Sequence, residues 1–138
     1  GTAEIFSDIP EVFTFSMHGK ANYPFRKEVS DLDVALDPGT PDTLYLELLA
    51  TNLQALEEQV KPDFVFYLSG VDILESDKLG TLGCSLEGCR RRDEMVFKWC
   101  RRLQIPVQCS MGGGYSPQLR TIVSAHATTY RLADQVFF

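Results

Sequence analysis

Long apolar runs are missing from this 138-residue chain, and none approaches the ~20 residues a membrane-crossing helix needs. The opening "GTAEIFSDIP" also lacks the charged-then-apolar order of a signal peptide. Basic residues are outnumbered 13 to 19, and the resulting net charge of −6 argues against a general binder of nucleic acid or of anionic membranes. Cysteine is present four times, as Cys84, Cys89, Cys100 and Cys109, but never as CxxC. That spacing suits neither a zinc knuckle nor a disulfide framework, so reduced thiols in a cytoplasmic protein fit best. Histidine occurs only twice, at His18 and His126, which leaves little for a histidine-based metal site. No segment is repeated or of low complexity.

What is present reads as one α/β domain. "EVFTFSM" (11–17) is aromatic and β-branched, a buried strand. A loop follows over 18–31, then a short strand "LDVAL" (32–36) and a turn "DPGTPD" (37–42). Thr40 is suited to cap the next helix, with Pro41 at its first position and Asp42 at the positive end of its dipole. Leu49, Leu53, Leu56 and Val60 give that helix one apolar face before Pro62 stops it. "DFVFYLS" (63–69) is nearly all apolar and reads as a strand covered on both faces, the habit of parallel sheets. Ser85 caps a second helix with Cys89, Val96, Phe97, Cys100 and Leu103 inward. "IPVQCSM" (105–111) is a strand and "GGGYSP" (112–117) a tight turn. Ser116 and Pro117 open a third helix, with Leu119, Ile122, Val123, His126 and Tyr130 on one side. The basic cluster Arg90, Arg91, Arg92, Lys98, Arg101 and Arg102 reads as a solvated helix face, or else as a docking patch for an acidic partner.

Alternating strands and helices predict a mostly parallel sheet flanked by helices, and ligands of such sheets bind outside the carboxyl ends of the strands. Those ends are Ser16 to His18, Ser69 to Asp72 and Met111 to Tyr115. Asp72 is either a turn cap or a site carboxylate. Tyr115 is either a packed aromatic or a site hydroxyl. Glu75 and Asp77 read as solvated or turn-capping residues.

"YLSGVDILESDKLGTLGCSLEGCRRRDEMVF" resembles the segment of the zinc-dependent histone deacetylase family that carries its third metal ligand. "PVQCSMGGGYS" resembles that family's Gly-rich turn and catalytic tyrosine, and "VFTFSMHGKANYPF" and "DVALDPGTPDTLYL" resemble two of its other segments. The branch most similar is the bacterial and class IV one, including acetoin-utilisation-type proteins. The resemblance implies the arginase/deacetylase α/β fold. It implies that Asp72 ligates Zn2+ and that Tyr115 hydrogen-bonds the developing oxyanion. By the same resemblance Gly112, Gly113 and Gly114 are expected to bring backbone close to substrate, and Tyr23 and Leu79 to line the acyl-lysine tunnel. It further implies that Ser16 and Met17 help hold a monovalent cation (K+), and that the carbonyls of Phe6 and Val12 serve a second. The implied substrate is acetyl-lysine or a small acetylated amine.

The family's site also needs an Asp and a His one residue apart, just before the segment "GTAEIF" resembles, and a histidine pair further upstream. Neither His18 nor His126 matches them. The start at Gly1 reads as a cut end, so the resemblance implies that 1–138 is the C-terminal portion of a deacetylase domain. Such a portion is expected to bind zinc weakly, to be inactive alone, and to leave an apolar face open for a homodimer or for the missing N-terminal half. The rival expectation is a truncated, non-catalytic interaction module that keeps half the fold.

Overall fold

A computed structural model describes all 138 residues. The elements run α1 (Thr2–Phe6), β1 (Phe15–Gly19), β2 (Leu32–Leu36), α2 (Asp42–Gln59), β3 (Val65–Gly70), α3 (Leu86–Leu103), β4 (Val107–Gly112) and α4 (Leu119–Phe137). All strand pairing is parallel, as the alternation predicts, but it forms two ladders, β1 with β2 and β3 with β4. No helix is long and apolar enough to cross a membrane.

Several boundaries and caps differ from the sequence reading. The strand expected over 11–17 begins at Phe15, because the Thr14 amide and hydroxyl both donate to the Asp31 carboxylate, at 2.7 and 2.8 Å. Thr40 does not cap α2. Its hydroxyl donates to the Asp37 carbonyl at 2.7 Å and closes the preceding turn. Asp42, in the first turn of α2, instead accepts from the Ser85 amide (2.8 Å) and hydroxyl (2.6 Å). Ser85 does cap α3, accepting from the Gly88 amide at 3.0 Å. One carboxylate thus joins the starts of two helices, where the dipoles favour negative charge. The last helix begins at Leu119 rather than at Ser116, and the short α1 carries no apolar periodicity that would announce it.

The main core lies where Leu46, Leu49, Leu53 and Leu56 of α2 meet Cys89, Val96, Trp99 and Cys100 of α3, over Met17, Val34, Val65 and Tyr67 of the strands. A smaller cluster packs Phe97 with Leu132 and Val136 of α4 against Tyr67, Val107 and Cys109. The stripe expected on α4 is misplaced by about a third of a turn. Ala125, Thr129, Leu132 and Val136 are buried, whereas Leu119, Val123 and Tyr130 are exposed. Thr129, on that inward face, donates to the Asp93 carboxylate on α3 at 2.6 Å.

Asp93 is wholly buried and also accepts from the Tyr67 hydroxyl (2.6 Å) and from Arg92 Nε (2.9 Å). Arg92 is therefore not part of a solvated basic face. It lies in the core, and its Nη1 donates to the Gly70 carbonyl at 2.5 Å. Elsewhere in the basic cluster Arg90 pairs with Glu87 and Glu94 and Lys98 with Glu94 along the helix, and Arg102 pairs with Glu57 of α2.

The strand β3 is covered on one face only. Tyr67 and Ser69 point into the protein, while Phe66 and Leu68 are 73% and 61% exposed. The expectation of two covered faces is corrected to one, because α3 and α4 pack on the Tyr67 side alone.

Burial pushes the Cys84 thiol and the Tyr45 hydroxyl each up to about 12, and Cys100 up to about 11. In the unfolded chain these groups lose their protons near pH 8.5 to 10, so the folded state holds protons more tightly. Stability from this source is fully present below about pH 8.5 and is lost as pH rises toward about 12. Urea midpoints measured across that range are expected to fall, and a flat profile would contradict the burial of these groups.

Candidate active site

The strand β3 ends at Gly70, and Val71 then turns Asp72 out of the sheet. Two interactions fix this exit. The Val71 amide donates to the Gly112 carbonyl at 3.0 Å, which holds the end of β3 to the end of β4. From behind, the buried Arg92 holds the Gly70 carbonyl. Ser69 adds a third tie, its hydroxyl donating to the Ser110 carbonyl at 3.0 Å.

Three glycines close around Asp72. A Cβ at Gly70 would sit 2.7 Å from Asp72 Oδ1, and one at Gly113 would sit 2.9 Å from Asp72 Cβ and Cγ. At Gly80 any Cβ would collide with the Asp72 carbonyl oxygen. Gly113 and Gly114 also have φ of +63° and +109°, where a side chain is strained. Gly113 is thus needed both for its backbone shape and for room beside the carboxylate, and Gly114 for its backbone shape.

The loop after Asp72 is tied to the Gly-rich turn by Asp77. Its Oδ1 accepts from the Leu79 and Gly80 amides at 2.9 and 2.7 Å, and its Oδ2 accepts from the Tyr115 amide at 2.6 Å. Beside it the Ser116 hydroxyl donates to Ser76 Oγ at 3.0 Å. Asp77 is therefore more than the solvated or capping turn residue expected. It does cap the local turn, and it also spans two loops. The loop after β1 joins the same cluster, because Asn22 Oδ1 accepts from the Thr81 amide (3.0 Å) and hydroxyl (2.6 Å).

Of the residues singled out from sequence, Asp72, Leu79, Gly112, Gly113, Gly114 and Tyr115 come together at this edge. Tyr23 is carried on the loop that Asn22 anchors and stacks edge-on against Phe25, with ring centroids 6.2 Å apart. Its side chain is free of the core, as are those of Leu79 and Tyr115; the three residues are 83%, 60% and 59% exposed. Ser16 and Met17 lie in β1, where Ser16 Oγ is 2.9 Å from His18 Nδ1. Phe6 ends α1 and Val12 follows in the next turn; the Phe6 carbonyl accepts from the Ile9 amide at 3.1 Å. Asn22, Ser76 and Asp77 were missed as site-building residues. The only signal available for Asp77 was its spacing to Leu79 and Gly80, which fits an Asx turn.

The two histidines are placed differently. His18 Nδ1 is 3.8 Å from Asp33 Oδ1, so it is a strand histidine with side-chain partners rather than a loop histidine held by backbone. His126 is half-buried under the Gly-rich turn, and its Nδ1 has no partner. No group of three His, Cys, Asp or Glu side chains converges to hold a metal. The donor set of this chain therefore does not by itself make a complete zinc site.

A family model described as histone deacetylase domain matches residues 1–130. An uncharacterized protein of Picosynechococcus sp. is 45% identical over 99% of this chain, and histone deacetylase 2 of Arabidopsis thaliana is 32% identical over 85% of it. The matches span 46% and 31% of those proteins, so the chain corresponds to less than half of either relative. Among solved structures, a deacetylase homologue from Aquifex aeolicus superposes with a TM-score of 0.81 at 24% identity, covering 97% of this chain and 38% of that one. An acetylpolyamine aminohydrolase from Burkholderia pseudomallei superposes with a TM-score of 0.77 at 19% identity, covering 99% and 42%. At these identities the superpositions establish the fold, and it is the deacetylase-like α/β fold.

Replacing Gly113 by Ala is expected to lower stability by about 2–4 kcal/mol, from the left-handed backbone plus contact with Asp72. Gly39→Ala, at φ +76° with nothing within 4 Å, should cost only the backbone part, about 1–2 kcal/mol. Equal losses in urea denaturation would contradict the packing of Gly113 on Asp72.

Proposed function

The chain belongs to the histone deacetylase family, and from that premise we propose that it forms the C-terminal portion of a zinc-dependent deacetylase domain acting on acetyl-lysine or a small acetylated amine. The observation that carries this reading is the convergence of Asp72, the Gly112–Gly114 turn and Tyr115 at one sheet edge, held there by Asp77. A zinc ion bound in the complete site would polarise the amide carbonyl and activate water.

Asp72 would offer that ion a hard carboxylate oxygen, and its position is set by the three glycines packed around it. Tyr115 would donate its phenolic O–H to the oxyanion as charge develops there. Its hydroxyl makes no hydrogen bond within the chain and is free to do so. A neutral donor suits this task, since it gains strength as the carbonyl oxygen gains charge. Leu79 and Tyr23 would wall an apolar channel for the acyl-lysine stem. Ser16, Met17, Phe6 and Val12 would serve monovalent cations.

The remaining metal ligands and the proton-transferring histidines would come from the other part of the domain. That part would cover the open face of Phe66 and Leu68, which supports the pairing. The same open face is what a non-catalytic interaction module would use, so activity separates the two readings.

In the polypeptide carrying the complete site, Tyr115→Phe is expected to lower kcat by about 10²–10³, the usual cost of losing one oxyanion donor, with KM little changed. Turnover of an acetyl-lysine peptide that is unaffected by Tyr115→Phe would refute the catalytic reading.

A further inference from the structure

The carboxylate best tied into this edge is that of Asp77. Asp77 Oδ1 holds two consecutive amides, Leu79 and Gly80, and Oδ2 reaches across to the Tyr115 amide at 2.6 Å. Both oxygens are thus committed to backbone donors in two loops that the chain separates by 38 positions. Carboxylate-to-amide bonds of this length are charge-assisted and stronger than neutral ones.

The consequence is geometric. Gly80, held by Asp77, is packed without clearance against the Asp72 carbonyl. Leu79 carries one wall of the channel. Tyr115 carries the hydroxyl, and its backbone follows two glycines in left-handed conformation, which by themselves leave the turn loosely determined. A residue 59% exposed gains little position from core packing, so the bond to its amide is what sets where the phenol starts.

We propose that Asp77 is the positioning residue of this site: one carboxylate that sets the Tyr115 backbone relative to the Asp72 loop. The inference rests on the deacetylase reading of Tyr115. It assigns to Asp77 no contact with metal or substrate, only control of the distance between the two groups that make such contacts. Displacement of a catalytic group by about 1 Å can cost about 10²-fold in rate, which gives this role its scale.

The test is a double-mutant cycle in the polypeptide carrying the complete site, with kcat and KM measured on an acetyl-lysine peptide and amide hydrogen exchange followed at Tyr115. Asp77→Ala is expected to lower kcat by about 10- to 100-fold with KM changed far less, and to speed exchange of the Tyr115 amide. In a Tyr115→Phe background the same substitution should lower kcat little further. Asp77→Asn keeps the size and one acceptor oxygen, and it replaces the alanine variant if that one fails to fold. Asparagine can serve only one of the two loops as acceptor, so the Tyr115 side or the Leu79–Gly80 side should loosen. Equal kcat losses in the wild-type and Tyr115→Phe backgrounds, or unchanged Tyr115 exchange, would overturn the proposal. Turnover lost in Tyr115→Phe but kept in Asp77→Ala would overturn it alone. Wild-type turnover in Tyr115→Phe would instead overturn the deacetylase reading, and this inference with it.

Discussion

The buried ion pair of Arg92 and Asp93 is the constraint on which the rest of the structure depends. Asp93 gathers Arg92, the Tyr67 hydroxyl of β3 and the Thr129 hydroxyl of α4 onto one carboxylate with no exposure to water. Removing one partner of such a pair costs about 3–5 kcal/mol, because the other is left charged in a low dielectric. The pair therefore fixes α3, α4 and β3 in one relative placement. Arg92 then passes that placement to the site by holding the Gly70 carbonyl, two residues before Asp72.

From that point outward, the edge of the sheet is built from backbone hydrogen bonds and close glycine contacts, on a loop that Val71, Ile73 and Leu74 anchor in the core. The Val71 amide ties β3 to β4, Asp77 ties the Asp72 loop to the Gly-rich turn, and Asn22 brings in the loop after β1. Polar ties of this kind leave Tyr23, Leu79 and Tyr115 with free side chains on a fixed backbone. That combination suits a substrate channel, in which side chains must face a ligand without moving.

The elements that repeat a simple period were legible in the sequence. β2 falls where "LDVAL" predicts it, α2 follows its leucines, and Ser85 starts α3. The candidate edge was legible because Asp72 and the triple glycine both follow strands. Misreadings arose wherever a long-range polar partner overrode the local pattern. Arg92 looked like one more charge in a basic run, since nothing local announces a buried aspartate beside it with Tyr67 and Thr129 as partners. On α4, Thr129 shares the inward face with Leu132 and Val136, and its partner Asp93 is remote in sequence. Asp77 looked like a turn residue because its partner at Tyr115 is remote in sequence. The open face of Phe66 and Leu68 read as covered on the strength of its apolarity, which reports what a strand seeks and not what this chain supplies.

Zinc stoichiometry tests the central claim most directly, namely that this chain carries one ligand of a site completed by the rest of the domain. Elemental analysis after dialysis against trace zinc would compare the 138-residue chain with the polypeptide carrying the complete site, each with an Asp72→Ala variant. Near-zero zinc on the chain alone, and about one zinc on the complete polypeptide that is lost in Asp72→Ala, is the expected result. One zinc per isolated chain, retained when Asp72 is replaced, would contradict it.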